Sequence, residues 1–482
     1  MIHHSLIYGN KFGSPRMRAV WTEIALVQRW LDVEAAIAWA QGELAIIPKR
    51  TAVRIVRHCN VGTVTPAAIA RYHNQTGHVI VSLVKAFRDA APDVGELFHF
   101  GPTTQDILDT GLTLQIRDAL RMLVPSLSRL QESVNRQAWR HRATVMAGRT
   151  EGQIASPITF GHKLAVLASE LSDHLARLAQ ASERLMWVTL FGATGVQSSF
   201  SYIADQRSAK KLLRLVGRRL GLRVPSICMH HRTDRFAELG CVLAGILSTL
   251  GEAGLEIRDL QRSEVREVAE PWSADQHSSS TMPQKQNPEV SEWLEGLAKL
   301  GRGYALSLLD TQQQHERDIT RLPPELHAIP NLFLHTIAAV ESAEFVLGGL
   351  RVFKDRMREN LHLNGGLIMS EAFMLLLAKE SRRKVWAHQL CHDIAMEAAR
   401  SRRPIMELLA SKPEVTRYLS PKQIRTAFDP MNYIGTAVSQ VEDTVALCRR
   451  RQRESEKTLR GMLWAGAVRS GRDQRRTAGR SV

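Results

Sequence analysis

The sequence has few cysteines and no long apolar run. Its five cysteines are odd in number and scattered along 482 residues, at Cys59, Cys228, Cys241, Cys391 and Cys448. This spacing fits neither a disulfide framework nor a cysteine-ligated metal site. No uninterrupted apolar run reaches the roughly 18 residues of a membrane span. Residues 1–13 also lack the apolar core of a signal peptide, so we expect a cytoplasmic protein with no membrane contact.

Strand-like alternation of apolar and polar residues is also missing, which argues against a β-rich fold. Apolar residues instead recur every three or four positions over segments of about 25–40 residues, which is typical of long helices. These predicted helices cover residues 16–47, 113–140, 159–186, 233–270 and 289–318, with a leucine stripe on the second and third, and a turn-like stretch is expected at 148–157. Helices of this length form elongated bundles, and their apolar stripes indicate association with other subunits. We therefore predict a mostly α fold with three helical domains: residues 1–111, a central long-helix bundle at 112–360 that carries a loop at 273–290, and residues 361–448.

The charge is uneven. Half of the net charge of +16 lies in residues 449–482, where 11 Lys and Arg face 3 Asp and Glu. We expect this basic tail to be disordered and solvated. A contact between the tail and nucleic acid is the alternative. It is disfavoured because single-strand binders interleave aromatic residues with basic ones, and Trp464 stands alone.

The most informative polar segment is residues 277–288, which read HSSSTMPQKQNP. Pro283 lacks an N–H, and helical periodicity resumes only at Glu289, so this segment is predicted to be a loop between two long helices. It concentrates hydroxyl, ammonium and amide groups. Functional residues are often placed on such loops.

Two further polar stretches interrupt the helical pattern. Residues 99–110 read HFGPTTQDILDT, and residues 148–161 read GRTEGQIASPITFG. Each is predicted to lie at a helix start, where unsatisfied N–H groups attract anions. Helix capping by Thr and Asp explains any one of them. Three such stretches in one chain favour a shared site for carboxylates.

These stretches resemble known motifs. Residues 277–288 resemble the Ser-Ser-x-Met-Pro-x-Lys-x-Asn-Pro loop of the fumarase/aspartase superfamily of lyases, and residues 99–110 and 148–161 resemble its other two conserved regions. Segments 30–36, 260–264 and 429–435 also match, so the resemblance covers about residues 10–448. It is closest to the branch that holds adenylosuccinate lyase and 3-carboxy-cis,cis-muconate cycloisomerase. It implies a homotetramer whose sites are shared between chains.

The resemblance also implies a mechanism without cofactor or metal. Family members remove a proton beside a carboxylate and expel a group from the next carbon, which requires strong stabilisation of the dianionic intermediate. By resemblance Ser280 is the base, with His99 and Glu151 as further catalytic residues. The residues expected to bind an anionic small-molecule substrate are Thr103, Thr104, Gln105, Thr150, Gln153, Ser279, Lys285 and Asn287. Those expected to support the site are Asp106, Arg149 and Glu292.

The chain departs from the lyase pattern at several positions. Glu151 replaces the histidine that acts as general acid in adenylosuccinate lyases, and Ser278 replaces a glycine. Lys11-Phe12 stands in place of an Arg-Tyr pair. After His315–Asp318, residues 322–326 read LPPEL instead of the Ser-x-x-x-Arg phosphate clamp. The expected reaction is therefore β-elimination on a small polycarboxylate, most like that of the muconate cycloisomerase. The alternatives are an adenylosuccinate lyase and a catalytically silent structural homologue.

Overall fold

The computed structural model describes residues 2–312 and 318–465. The fold is mostly α, as predicted, with three helical parts arranged around a central bundle of long helices. The N-terminal part consists of short helices around one longer one: α1 (Gly9–Phe12), α2 (Pro15–Val20), α3 (Glu23–Glu43), α4 (Lys49–His58), α5 (Pro66–Thr76) and α6 (Val79–Ala90). The single helix expected at 16–47 is divided in two, because Thr22 caps α3 by accepting the Ala25 N–H.

The central bundle is built from helices of up to 37 residues. In chain order the helices of this region are α7 (Thr104–Arg140), α8 (Phe160–Leu185), α9 (Ser198–Ile203), α10 (Gln206–Leu220), α11 (Asp234–Gln261), α12 (Glu289–Leu309) and α13 (Leu322–Gly348). Leu120, Leu123, Leu127 and Leu130 on α7 are fully buried, as their predicted stripe requires. The predicted helix at 159–186 agrees closely with α8. The predicted helix at 289–318 ends early, at Leu309, and residues 313–317 lie outside the described part.

A β-hairpin replaces the turn-like stretch expected at residues 148–157. Strand β1 (Val145–Thr150) pairs antiparallel with β2 (Gln153–Thr159), and Thr150 lies opposite Gln153 at the tip. The two turn residues, Glu151 and Gly152, have φ of +52° and +77°. Positive φ at both central residues is the pattern of a type I′ hairpin turn. Such turns usually contain Asn-Gly or Asp-Gly, so a Glu-Gly pair gave only a weak hairpin signal.

The C-terminal part has its own apolar core. It contains α14 (Lys354–Asn360), α15 (Ser370–Ser381), α16 (Lys384–Ser401), α17 (Ile405–Ser411), α18 (Pro413–Thr416) and α19 (Pro421–Ala427). A separate cluster of buried residues between Phe373 and Ile424 lies within the predicted domain 361–448. The predicted boundary between 111 and 112 falls inside α7, and one continuous core joins the N-terminal helices to the bundle. The domain limits remain predictions.

The tail expected to be disordered from residue 449 is helical over its first half. Helix α20 (Ala437–Leu463) runs along α8 and α7, and Leu459 and Leu463 are fully buried. The expectation of disorder is therefore wrong for residues 449–463, because their basic residues lie on the outer face of an amphipathic helix. Residues 466–482 lie outside the described part of the chain.

A second short pairing positions the functional loop. Strand β3 (Val268–Ala269) lies between the end of α11 and the start of α12. It pairs antiparallel with β4 (Arg351–Val352), which follows α13. Helix α11 is long and apolar enough to cross a membrane, with mean hydropathy 1.4, but 67% of that window is buried within the protein. It packs on α8, α12 and α13 as the core helix of the bundle.

Candidate functional site

His99 opens the first polar stretch and is held by a buried carboxylate. Its Nδ1 lies 2.6 Å from Oε1 of Glu34 on α3; the His99 side chain is 18% exposed and that of Glu34 only 1%. Burial opposes the charged imidazole, but the Glu34 carboxylate outweighs it and raises the pKa of His99. The backbone of His99 is left-handed, with φ of +57°. Such strain in a non-glycine residue is concentrated at functional sites.

The start of α7 is fixed by Asp106. Its carboxylate accepts the Thr103 N–H at 2.9 Å, the Phe191 N–H at 2.7 Å and the Gly192 N–H at 3.1 Å. His230 Nε2 lies 2.9 Å from Asp106 Oδ1, and both side chains are fully buried. Burial disfavours the imidazolium, but Asp106 outweighs it and raises the pKa of His230 to about 9. Asp106 thus fixes the start of α7 through these contacts, and its role in a site stays a prediction.

Two of the predicted substrate-binding residues of this stretch differ in their contacts. Thr104 Oγ1 lies 3.4 Å from Nε2 of His78 and is partly exposed. Gln105 is buried, and its amide donates to Asp109 Oδ1 at 2.8 Å. In this arrangement Gln105 supports the site, and Thr103 and Thr104 are the hydroxyls that a substrate could reach.

Beneath the stretch lies a buried charge cluster. Arg321 Nη2 lies 2.7 Å from Asp109 Oδ1, and its Nη1 contacts both carboxylate oxygens of Glu325 at 2.9 and 3.0 Å. All three side chains are at most 2% exposed. Arg321 directly precedes the segment that replaces the phosphate clamp, and Glu325 lies within that segment. The Arg321 guanidinium therefore binds buried carboxylates of the protein interior. His315 to Arg317, which precede it, lie outside the described residues.

The second stretch presents its polar groups at the hairpin tip. Thr150, Glu151 and Gln153 are all exposed there. Arg149, at the base of the tip, makes a bidentate ion pair with Glu267 at 2.8 and 2.9 Å. This ion pair holds the Arg149 guanidinium against Glu267, so Arg149 does not pair with Glu151 at the tip.

The third stretch is a loop closed on itself. Ser278 Oγ donates to the Lys285 carbonyl at 2.7 Å and accepts the Asn287 N–H at 2.9 Å, while Asn287 Nδ2 donates to the Ser278 carbonyl at 2.7 Å. A glycine at 278 would lack the first two of these bonds. Ser278 therefore closes the loop through these three hydrogen bonds, two of which join it to Asn287.

Within this closed loop the two candidate serines differ. Ser279 Oγ accepts the N–H groups of Thr281 and Met282, at 3.3 and 3.0 Å, so it shapes the turn. Ser280 is exposed, and its hydroxyl has no hydrogen-bond partner among the described residues. The Lys285 side chain is exposed as well. The loop thus presents a hydroxyl and an ammonium group to solvent, as a base and its electrostatic partner would require.

The segment 267–270, which we call the site frame, connects the second and third stretches. At one end Glu267 binds Arg149, and at the other Glu270 Oε1 accepts both the N–H and the Oγ–H of Ser291 at 2.6 Å. Glu270 thereby caps the start of α12, directly after the loop. Glu292, in the first turn of α12, is exposed, so it is free to support a neighbouring side chain.

Each of the three stretches is held by its own contacts to the rest of the chain. Within residues 2–312 and 318–465, no hydrogen bond or ion pair joins any two of them. Each has its own buried anchor: Glu34 and Asp106 for the first, Glu267 for the second, and Glu270 for the start of the helix after the third. The described residues also contain no group of three or more His, Cys, Asp or Glu side chains arranged to hold a metal.

Four residues that hold the stretches in place were not identified from the sequence: Glu34, His230, Glu267 and Glu270. Glu34 lies within the matched segment 30–36, and its place on the inner face of a predicted helix was the available signal. His230, Glu267 and Glu270 lie in irregular segments or beside a two-residue strand. No periodic pattern marks such positions, so their partners become evident only in three dimensions.

Comparison with known proteins gives a consistent assignment. A family model described as lyase matches residues 13–300, and one described as adenylosuccinate lyase C-terminus matches residues 366–444. The chain is 35% identical to an N-acetyl-S-(2-succino)cysteine lyase of Dickeya dadantii, over 91% of this chain and 96% of that protein. It is equally identical to an adenylosuccinate lyase of Pyrococcus horikoshii, over 92% and 98% of the two chains.

Among solved structures, the 3-carboxy-cis,cis-muconate lactonizing enzyme of Pseudomonas putida superposes with a TM-score of 0.85 at 30% identity. The match covers 93% of this chain and all of that one. The fold, the order of the three stretches and the two family models agree. The chain belongs to the fumarase/aspartase superfamily of lyases, in the branch that holds adenylosuccinate lyase and 3-carboxy-cis,cis-muconate cycloisomerase.

Proposed function

We propose that this lyase acts without a cofactor on a small polycarboxylate, by proton abstraction beside a carboxylate and β-elimination or its reverse. The observation that carries the proposal is the closed loop 278–287, on which both the Ser280 hydroxyl, without a hydrogen-bond partner among the described residues, and the Lys285 side chain are exposed. Ser280 would take the proton in the elimination direction and return it to the same carbon in the reverse direction, in which a carboxylate closes the lactone. Lys285 would stabilise the negative charge that develops on the substrate carboxylate.

The leaving group is expected to need no acid. Glu151 stands where adenylosuccinate lyases have a histidine, and it is exposed at the tip of the hairpin. A carboxylate departing from a lactone carbon is stable as an anion. The reaction most compatible with this site is therefore a cycloisomerisation of the 3-carboxy-cis,cis-muconate type.

The residues that stand in place of the phosphate clamp and the Arg-Tyr pair disfavour a nucleotide substrate. Arg321, which directly precedes the segment in place of the phosphate clamp, is 1% exposed and forms ion pairs with Asp109 and Glu325. Lys11 lies over the ring of Trp293, 4.7 Å from its centre. Adenylosuccinate therefore ranks below smaller substrates.

A second candidate is release of fumarate from a succinylated thiol. It is favoured by the relative from Dickeya dadantii, whose name specifies such a substrate. A thiol ionises near pH 8.5, so a thiolate can leave as the anion, whereas an amine must take up a proton as it leaves. Its departure would therefore depend little on a general acid at position 151.

We propose further that the site is completed in a homotetramer. No hydrogen bond or ion pair joins two of the three stretches within the described residues of one chain, and the bundle exposes large apolar side chains, including Val166 on α8, Leu300 and Leu306 on α12, and Phe345 on α13. Association of bundles would cover these residues. It would also place the stretches of different chains around one substrate.

A substrate panel tests the reaction. Purified protein would be mixed with 3-carboxy-cis,cis-muconate, N-acetyl-S-(2-succino)cysteine and adenylosuccinate, and ultraviolet absorbance would follow muconate loss or fumarate formation. Loss of muconate absorbance without fumarate is the expected result. Fumarate from the thioether alone would establish the second candidate, and fumarate from adenylosuccinate would overturn the preference for a small substrate. No turnover of any of them by a folded tetramer would favour a silent homologue.

A further inference from the structure

We propose that Glu34 is a positioning residue, which holds His99 as an imidazolium with Nδ1–H directed inward and Nε2–H directed at a substrate carboxylate. This inference rests on the proposed function for its substrate class. It assigns a role to a buried residue of α3 that touches no substrate itself. It also gives the site a second cation, on a different stretch from Lys285.

The burial of Glu34 is the first argument. Its neighbours on α3 include Val33, Ala36 and Ile37, each at most 1% exposed. An isolated carboxylate in such surroundings would be strongly disfavoured, so it requires a cationic or donor partner. Among the described residues its hydrogen-bond partner is His99, at 2.6 Å. A glutamine would satisfy packing at lower cost, so the charge of Glu34 points to a role at His99.

The backbone around His99 is the second argument. Gln41 Nε2, also on α3, donates to the Phe100 carbonyl at 2.6 Å, and Ser199 Oγ donates to the Gly101 carbonyl at 2.6 Å. Gly101 has φ of +105°, and a Cβ there would lie 2.8 Å from the ring of Phe200. Together these contacts hold His99 in its left-handed conformation. A strained residue clamped from three sides is pre-organised for function.

The free nitrogen of the ring is the third argument. With Nδ1 against the Glu34 carboxylate, Nε2 has no hydrogen-bond partner in the part of the chain that the structure describes. The ring is partly exposed beside the start of α7, where Thr103 and Thr104 offer hydroxyls. A carboxylate bound there would meet a charged donor and the positive end of a 37-residue helix.

The test compares Glu34→Gln with Glu43→Gln, the same substitution on the same helix at an exposed position. Binding of succinate, a dianion that needs no turnover, would be measured by calorimetry between pH 5.5 and 9. The parent should lose affinity as His99 deprotonates. Glu34→Gln should lose affinity at a lower pH than the parent, because the carboxylate that raises the pKa of His99 is gone. Glu43→Gln should follow the parent, and all three proteins should show the same tetramer and helical content.

Kinetics with an accepted substrate add a second readout. Glu34→Gln should lower kcat/KM by about tenfold or more, mainly through KM, because an anchor binds ground state and transition state alike. Glu34→Asp keeps the charge and should retain part of the affinity; it also serves if the glutamine variant fails to fold. Succinate binding with the parental pH dependence in a folded Glu34→Gln protein would overturn the proposal. If the substrate panel fails but the pH shift is seen, the positioning role stands and the proposed reaction does not.

Discussion

Arg149 reaches from the hairpin to Glu267 and binds both of its carboxylate oxygens, at 2.8 and 2.9 Å. Glu267 is fully buried and also accepts a hydrogen bond from Asn360 Nδ2 at 2.8 Å. Three residues later, Glu270 caps the helix that follows the loop 278–287. Through the site frame, the placement of the hairpin tip and that of the loop therefore depend on one four-residue segment.

Removal of Arg149 should destabilise the protein strongly. Arg149→Ala leaves the Glu267 carboxylate buried with only Asn360 as partner, which should cost about 3–5 kcal/mol in the free energy of unfolding measured in urea. Arg184→Ala is the matched control, since its partner Glu238 is 34% exposed, and it should cost at most about 1 kcal/mol. The double variant Arg149→Met/Glu267→Leu should recover much of the loss. Equal losses for the two single variants would show that the frame pair carries no special weight.

The three loop serines should separate by role. Ser280→Ala should lower kcat by about 10²-fold or more with little effect on KM, because a base acts in the transition state. Ser279→Ala loses only acceptors of two backbone N–H groups and should be milder. Ser278→Ala opens the loop closure and should raise KM. Steady-state kinetics on the accepted substrate measure all three, and a near-parental kcat for Ser280→Ala would remove it as the base.

The sequence predicted the helices and the loop well, and the anchors poorly. The leucine stripes of α7 and α8 follow from a 3.6-residue period, which is a local property of the chain. The closure of the loop by Ser278 and the hairpin at Glu151-Gly152 depend on local geometry that few residues signal. Glu34, Asp106 and Glu267 act over separations of 65, 124 and 118 residues, to His99, His230 and Arg149. Such pairings are tertiary, and no local pattern in one sequence encodes them.

The buried pair of His230 and Asp106 should make stability fall as pH rises. The pKa of His230 is raised to about 9 from a usual value near 6.5, so the folded protein binds more protons than the unfolded chain between these values. Its contribution is complete below pH 6.5 and is lost on the way to pH 9, on the order of 3 kcal/mol. His99, whose pKa is also raised, adds to the same slope. His141 and His174, with pKa lowered to about 4, act only at more acidic pH.

Denaturant titrations at pH 6.5, 7.5 and 8.5 measure this slope. His230→Gln keeps a hydrogen-bond donor but cannot titrate, so it should flatten the dependence, and His99→Gln should remove a smaller share. An unchanged slope in His230→Gln would mean that another group carries the titration.

The proposed sharing of sites between chains predicts that two impaired variants can complement each other. At a substrate concentration well below KM, Ser280→Ala and His99→Gln should each turn over slowly, because in each proposed homotetramer every site lacks one group. Co-refolding of the two variants should restore activity, since some sites then draw a native Ser280 and a native His99 from different chains. Light scattering should show a tetramer throughout. Activity that never exceeds the two parents, in mixed tetramers identified by native mass spectrometry, would place both residues in sites formed by a single chain.

Glu151 decides between the possible leaving groups. Glu151→Gln is nearly isosteric and cannot donate a proton, so a general acid there would be revealed by a loss of about 10²–10⁴ in kcat. We expect kcat to change by less than about threefold instead, because a carboxylate leaving from a lactone needs no acid. Glu151→Gly should behave alike and should also stabilise the hairpin by about 1 kcal/mol, since glycine adopts a φ of +52° without strain.

Glu151→Asp is the control for this test, because it keeps an acid at the tip. If Gln and Gly both lower kcat strongly at unchanged KM while Asp retains activity, Glu151 donates a proton and the cycloisomerase reading is wrong. A loss confined to KM in the Gln and Gly variants would place the carboxylate in substrate binding. Because Arg149 is already committed to Glu267, such an effect could not come from a broken Arg149–Glu151 pair. The kcat of the glutamine variant therefore reports directly on whether the departing group requires a proton.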